Sequence, residues 1–223
     1  MRIIICTRPL QWSFETLWEC VREAVRRVVG KVRGPQLVTK YLIRGLQELG
    51  VDYRVNPKCS DIKPTDVVYV NERVAALRYA INLKRRGLCA RLWAGPALTV
   101  LPSDEHGIMC DTAIDGILFP SQWPRDFWIS QRPDLAEKIK VWPVGIITNP
   151  LTEIHRTLCV VYQKNAPETL LAIVLEQLKK SGKSVRVLRY GQYSHAEYIS
   201  ALNHADSLVY LSESESQGMA LLE

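Results

Sequence analysis

Apolar residues in this chain fall into short β-branched runs separated by stretches with helical spacing. Residues 2–6 (Arg-Ile-Ile-Ile-Cys) open the pattern, and a run this short and this rich in isoleucine predicts a buried strand. From Trp12 to Arg33 the spacing changes. Phe14, Leu17, Trp18, Val21, Val25, Val28, Val29 and Val32 recur with helical period, while Arg22, Arg26, Arg27, Lys31 and Arg33 fill much of the remainder. This reads as a basic amphipathic helix, broken at Gly30 and at Gly34-Pro35. A second helix is predicted from Gln36 to Leu49, stopping at Gly50.

After that the two periods alternate. Strands are predicted at 51–55, 66–70, 89–94, 116–120 and 140–145, with helices at 72–86 and about 122–130. Such alternation requires βαβ crossovers, hence a mainly parallel sheet with helices on both faces. A seam falls at 145–156, where Pro, Thr and Asn cluster. Beyond it the alternation restarts: strand 157–162, helix 167–181, strand 184–189, helix 195–205, strand 207–211 and a helix beginning near Gln217. The fold class is α/β, with a first Rossmann-like domain over 1–148, carrying the basic helix 12–33, and the opening strands of a second over 149–223.

Composition adds limits. With 47% hydrophobic and 23% charged residues in 223, the chain is ordinary globular material able to bury a core. No apolar run reaches the roughly 18 residues of a membrane span. The opening Met1–Arg8 is too short, and too soon interrupted by charge, for a signal peptide. Six cysteines without CxxC spacing fit reduced, cytoplasmic thiols better than a disulfide frame or a zinc site.

The net charge of +6 is concentrated: residues 1–58 carry 11 Lys/Arg against 5 Asp/Glu, and residues 59–223 carry 18 against 18. One basic element facing an anionic partner explains that bias better than a diffuse charged surface. For helix 12–33 the readings are an ordinary surface helix, a peripheral contact with an anionic membrane, and nucleic-acid binding. Trp and Phe beside Lys and Arg suit the membrane. No recurring basic–aromatic platform supports nucleic acid, which is not expected as a partner.

The candidate chemistry lies at the far end. Ser212, Glu213, Ser214, Glu215, Ser216, Gln217 and Gly218 follow a predicted strand and precede a predicted helix. In an open α/β sheet that is where ligands meet helix N-termini. Gly218 lacks a Cβ and lets a phosphate or sugar approach the backbone, and Glu223 lies about a turn and a half into the helix. The plain alternative is a solvated loop whose serines cap the helix.

The stretch Glu215-Ser-Gln-Gly-Met-Ala-Leu-Leu-Glu223 resembles the Glu-x7-Glu motif of retaining GT-B glycosyltransferases, family 4 (glycosyl transferases group 1). The segment from Tyr190 to Ser212 is similar to what precedes that motif in the family. Trp93-Ala-Gly-Pro, Ile117-Leu-Phe-Pro-Ser-Gln-Trp and Val141-Trp-Pro-Val-Gly145 also fit, more weakly. The resemblance implies two Rossmann-like domains, the second holding a nucleotide-diphosphate sugar and the first a glycan or lipid-linked acceptor. It places Glu215 on the donor hexose, Glu223 on the ribose, and the backbone of Ser216, Gln217, Gly218 and Met219 on sugar and diphosphate. Lys164 takes the place of the family's diphosphate-binding cation, with Glu215 and Lys164 as the catalytic pair; its plain alternative is a surface lysine. Gly34 and Pro35 fall where the family often contacts acceptor or phosphate, although a simple proline-started helix is an equal reading.

Two departures stand out. Gly145 is followed by Ile146-Ile147 where the family commonly has Asp, and Tyr162-Gln-Lys-Asn-Ala-Pro lacks the usual Arg or Gly-rich turn. The resemblance also implies an incomplete second domain, needing roughly another hundred residues, so the 223-residue chain is expected to be poorly active alone.

Asp104-Glu105-His106, with Cys110 and Asp111, matches no standard ligand spacing, so no metal is expected. His106 is kept as an acceptor-side candidate. GxGxxG, Walker and GxSxG sequences are absent, against dinucleotide, P-loop and hydrolase readings. No cofactor is expected beyond the sugar nucleotide. The alternatives are a nucleotide-sugar epimerase of the same fold, or a non-catalytic sugar- or membrane-binding module.

Overall fold

The computed structural model describes residues 2–9, 34–146 and 158–213. Helix 12–33, most of the 145–156 seam and the motif from Ser214 to Glu223 lie outside the described residues. The rest is α/β, in two compact units: residues 2–9 with 34–145, and 146 with 158–213.

The first unit is a six-stranded sheet in the order β2-β1-β3-β4-β5-β6, every neighbouring pair parallel. Its strands are β1 (Ile3–Cys6), β2 (Tyr53–Val55), β3 (Val67–Glu72), β4 (Arg91–Ala97), β5 (Gly116–Phe119) and β6 (Ile139–Val141). Alternate residues divide between two cores, as the two-residue period of a strand demands. Ile4, Cys6, Val68, Val70, Leu92, Ala94, Ile117 and Phe119 point to one face. There they meet Ala76, Leu77, Ala80, Ile81 and Leu83 of α2 (Val74–Arg85) and Trp128 of α3 (Gln122–Gln131). Ile5 and Tyr69 point the other way, to Leu42, Ile43 and Leu46 of α1 (Gly34–Glu48). Trp128 is 1% exposed, and its indole N–H donates to the Val100 carbonyl at 2.9 Å, fixing the loop after β4.

The second unit is a three-stranded parallel sheet, β8-β7-β9. Its strands are β7 (Leu158–Gln163), β8 (Ser184–Arg189) and β9 (Ala205–Leu211), with α4 (Glu168–Lys180) and α5 (His195–Asn203) between them. Val160 and Tyr162 face Tyr198 and Ala201 of α5, while Cys159 and Val161 face Leu171 of α4. Helix α5 begins with a capping box in which Ser194 Oγ accepts from the Glu197 amide and the Glu197 carboxylate accepts from the Ser194 amide. On its face the rings of Tyr162, Tyr193, Tyr198 and Tyr210 gather, with Tyr162 and Tyr210 stacked at 5.1 Å.

Two features of the first sheet yield measurable expectations. Gly95 has φ +104°, and a Cβ there would lie 2.2 Å from the backbone oxygen of Leu118 on the neighbouring strand. Gly95→Ala is therefore expected to cost more than about 3 kcal/mol in denaturant unfolding, because neither the strained backbone nor the paired strand can give way.

At the opposite end, Asp66 is 2% exposed and accepts from Arg2 at 2.7 Å and from the Lys63 amide at 2.8 Å. Burial opposes its charge, but the hydrogen bonds from Arg2 and Lys63 outweigh burial and hold the carboxyl below its ordinary value. A lowered folded value means stability that is present above the unfolded pKa, about 3.9, and lost as pH falls through the folded value. Asp66→Asn should cost about 2 kcal/mol at pH 7. The gap to wild type in urea midpoint should shrink below about pH 4; an unchanging gap would refute the linkage.

Candidate functional site

Both sheets have a strand from which the chain leaves in opposite directions, and there the crossovers part to open a crevice at the carboxyl ends. In the first sheet this is β1, flanked by β2 and β3. Thr7, just past β1, donates its amide to Asn56 Oδ1 at 2.9 Å, and Asn56 Nδ2 donates to Thr7 Oγ1 at 2.8 Å. Asn71, fully buried near the end of β3, donates from Nδ2 to the Pro35 carbonyl at 2.8 Å and to Thr39 Oγ1 at 2.9 Å. Its Oδ1 is buried with no partner among the described residues. Gly34 and Pro35 thus sit at the carboxyl edge of the sheet, on the first turn of α1, locked to β3 through Asn71. A Cβ on Gly34 would meet nothing within 4 Å, so packing does not demand glycine there.

His106 lies elsewhere, in the β4–β5 connection alongside α2. Glu105 (φ 50°, ψ 41°), His106 (φ 60°, ψ 32°) and Gly107 (φ 71°, ψ 28°) form a left-handed turn, a conformation that costs about 1–3 kcal/mol per non-glycine residue. Tertiary contacts hold it. Asp104 Oδ2 accepts from the amides of Val100 (3.0 Å) and Leu101 (2.8 Å), and Arg78 pairs with Glu105 at 2.8 Å. An open groove of about 460 Å³ runs beside it, lined by Arg78, Asn82, Arg85, His106 and Asp111. Arg85 pairs with Asp111 at 2.7 Å. The acidic side chains of 104–111 are therefore divided among amides and arginines. Among the described residues no three His, Cys, Asp or Glu side chains are grouped as metal ligands. His106 shares this groove with α2 rather than with Gly34 and Pro35.

In the second sheet the corresponding strand is β7, with β8 on one side and β9 on the other. Lys164 is the first residue after β7. Its amide donates to the Leu211 carbonyl at 2.9 Å, extending the ladder to the last residue of β9, and its ammonium lies 5.7 Å from the Tyr190 ring centroid. Lys164 is therefore placed beside the strand end that leads into residues 212–223. Asn165 strengthens the join: its Oδ1 accepts from Ser212 Oγ at 2.8 Å and from the Glu213 amide at 3.0 Å. Glu215, Ser216, Gln217, Gly218, Met219 and Glu223 lie outside the described residues.

Sequence reasoning assigned no role to Asn165, Arg189 or Tyr190. Arg189 ends β8 as the register partner of Gln163. It donates to Gln163 Oε1 at 2.8 Å and pairs with both carboxylate oxygens of Glu168, the first residue of α4. Arg189 first, then Gln163, holds the Glu168 carboxyl below its ordinary value. The Tyr162-Gln-Lys-Asn-Ala-Pro loop lacks its own arginine, and the cation that stands beside it arrives from the next strand, already matched to a carboxylate. No sequence spacing announces this, because residues 163 and 189 become neighbours only through parallel pairing.

An ammonium at the carboxyl edge of a parallel sheet is suited to binding phosphate and to stabilising negative charge that develops there.

No protein-family model matches the sequence, and no curated protein matches it. Among solved structures, the chain is similar in fold to a lipopolysaccharide outer core galactosyltransferase, WaaB, in its apo form. The match covers 100% of this chain and 77% of that one, with a TM-score of 0.50 and 14% sequence identity. The likeness establishes the fold: parallel, Rossmann-like α/β units of the kind found in that glycosyltransferase.

Proposed function

We propose that the chain is a retaining GT-B glycosyltransferase of family 4 type, transferring a hexose from a nucleotide-diphosphate sugar to a glycan or lipid-linked acceptor. One observation carries the reading: Lys164 is joined through its own amide to the strand end that leads into the Glu-x7-Glu stretch. The fold shared with a galactosyltransferase supports the reaction class.

The second unit holds the donor. Glu215 binds hydroxyls of the hexose and Glu223 those of the ribose, with the backbone of residues 216–219 on sugar and diphosphate. As the bond from the anomeric carbon to the phosphate oxygen breaks, its electron pair stays on the diphosphate, and the Lys164 ammonium offsets that charge. The acceptor oxygen forms the new bond on the same face of the sugar, and its proton passes to the departing phosphate. The nucleotide sugar is a co-substrate, and no metal is assigned a role. The first unit holds the acceptor at its carboxyl edge, where Gly34 and Pro35 begin α1 and Asn71 Nδ2 donates to the Pro35 carbonyl, its Oδ1 buried with no partner among the described residues. The basic stretch 12–33 brings this cytoplasmic enzyme to an anionic membrane surface, where a lipid-linked acceptor resides.

Incubation with UDP-, GDP- and ADP-hexoses tests the donor assignment. One class should raise the melting temperature of the wild type, and Glu223→Ala should abolish that rise; no response to any of the three would sink the reading. Lys164→Ala should lower the rate of hexose transfer about 10²- to 10³-fold. The product anomer, read by NMR coupling constants, should match the donor; the opposite anomer would refute retention.

Co-sedimentation with vesicles containing phosphatidylserine tests the membrane contact. Replacing Arg22, Arg26 and Arg27 by Gln should abolish binding, and binding that persists would defeat the electrostatic account.

A further inference from the structure

We propose that Asn165 is a positioning residue that fixes Ser212 and Glu213 at the end of β9, next to the Lys164–Leu211 pairing, for a diphosphate; the inference rests on the donor-site reading of this edge. Asn165 is exposed and follows Lys164 directly, yet its side chain reaches a segment 47 and 48 residues away. One oxygen, Oδ1, accepts from Ser212 Oγ and from the Glu213 amide. The second of these matters more. Glu213 lies past the last ladder position of β9, so its N–H has no strand partner and takes a side chain instead.

Both contacts use Oδ1, so neither consumes the two N–H donors of the amide, which directly follows Lys164 in the chain. The two bonds also fix which end of the amide is oxygen. A single side chain therefore sets the direction in which the chain leaves β9. It also presents donors of the kind a phosphate oxygen accepts.

The tether contributes little to the sheet itself. Six register pairs already bind β7 to β9, and the Lys164 amide closes the ladder on the Leu211 carbonyl. Removing an exposed side chain beyond that ladder leaves both cores of the unit intact. Its loss should appear in ligand affinity rather than in unfolding.

The test uses UDP, GDP and ADP as probes, with the wild type and the variants Asn165→Ala, Asn165→Asp and Ser212→Ala. Asn165→Ala should weaken binding of the diphosphate that the wild type prefers about tenfold, the size of one net hydrogen bond. Its melting temperature should stay unchanged, and the Glu213 amide should exchange its hydrogen faster. Aspartate keeps an acceptor for both tether bonds, so Asn165→Asp should retain Glu213 protection. It should still lose affinity, because it sets a negative charge beside the phosphates, and added salt should narrow that loss. Ser212→Ala, which removes one bond of the two, should fall between wild type and Asn165→Ala. Wild-type affinity in Asn165→Ala, or unchanged Glu213 exchange, overturns the proposal while leaving the donor site standing. Failure of the wild type to bind any of the three diphosphates removes both together.

Discussion

Strand β7 opens the second unit in sequence but occupies the middle of its sheet, and that placement dictates what can happen at the edge. Each neighbour is parallel and comes later in the chain, so each has to be reached by a crossover. Right-handed crossovers that travel in opposite directions lie on opposite faces. Helix α4 accordingly covers Cys159 and Val161, and α5 covers Val160 and Tyr162. The helices lie on opposite faces of β7, and Lys164 and Asn165 follow it at its carboxyl end.

The first sheet obeys the same constraint at larger size, and its two ends differ in chemistry as a result. At the amino edge the charges are settled: Asp66 is enclosed by Arg2 and an amide, and Asp115 takes the Leu92 amide at 2.7 Å. At the carboxyl edge three short amides and hydroxyls, Thr7, Asn56 and Asn71, tie the end of β1 to Asn56 and the end of β3 to the start of α1. One edge is closed by ion pairs that make the fold, while the other includes neutral side chains bonded to each other and to the helix start.

Much of this order is legible in the residues because buried parallel strands are written as continuous apolar runs. Ile3–Cys6 and Leu158–Gln163 stand out for that reason, and the helices between them declare their period. Boundaries move where tertiary pairing intervenes. Strand β6 ends at Val141 rather than continuing to 145, since Pro143 has no N–H to donate. Strand β9 begins at Ala205, two residues before its apolar run, because its register against β7 shifts between Leu158 and Cys159. The turn at 104–107 was not legible as structure at all. Its left-handed backbone at Glu105 and His106 is held by Asp104 on the Val100 and Leu101 amides and by Arg78 from another element. The site divides in the same way. Lys164 could be picked out by resemblance, but the Tyr190 ring near its ammonium and the Arg189 beside Gln163 are brought there by register, which periodicity does not encode.

The gathering of tyrosines on the α5 face has a practical side. All six tryptophans of the chain precede residue 143, whereas five of its nine tyrosines follow residue 158. The second unit therefore has phenol rings and no indole. Light absorbed at the red edge of the indole band reports only on the part of the chain before the seam. Tyrosine ellipticity, dominated by the close-packed Tyr162, Tyr193, Tyr198 and Tyr210, reports on the part after it. The molecule carries two optical channels, one for each unit, with no label attached.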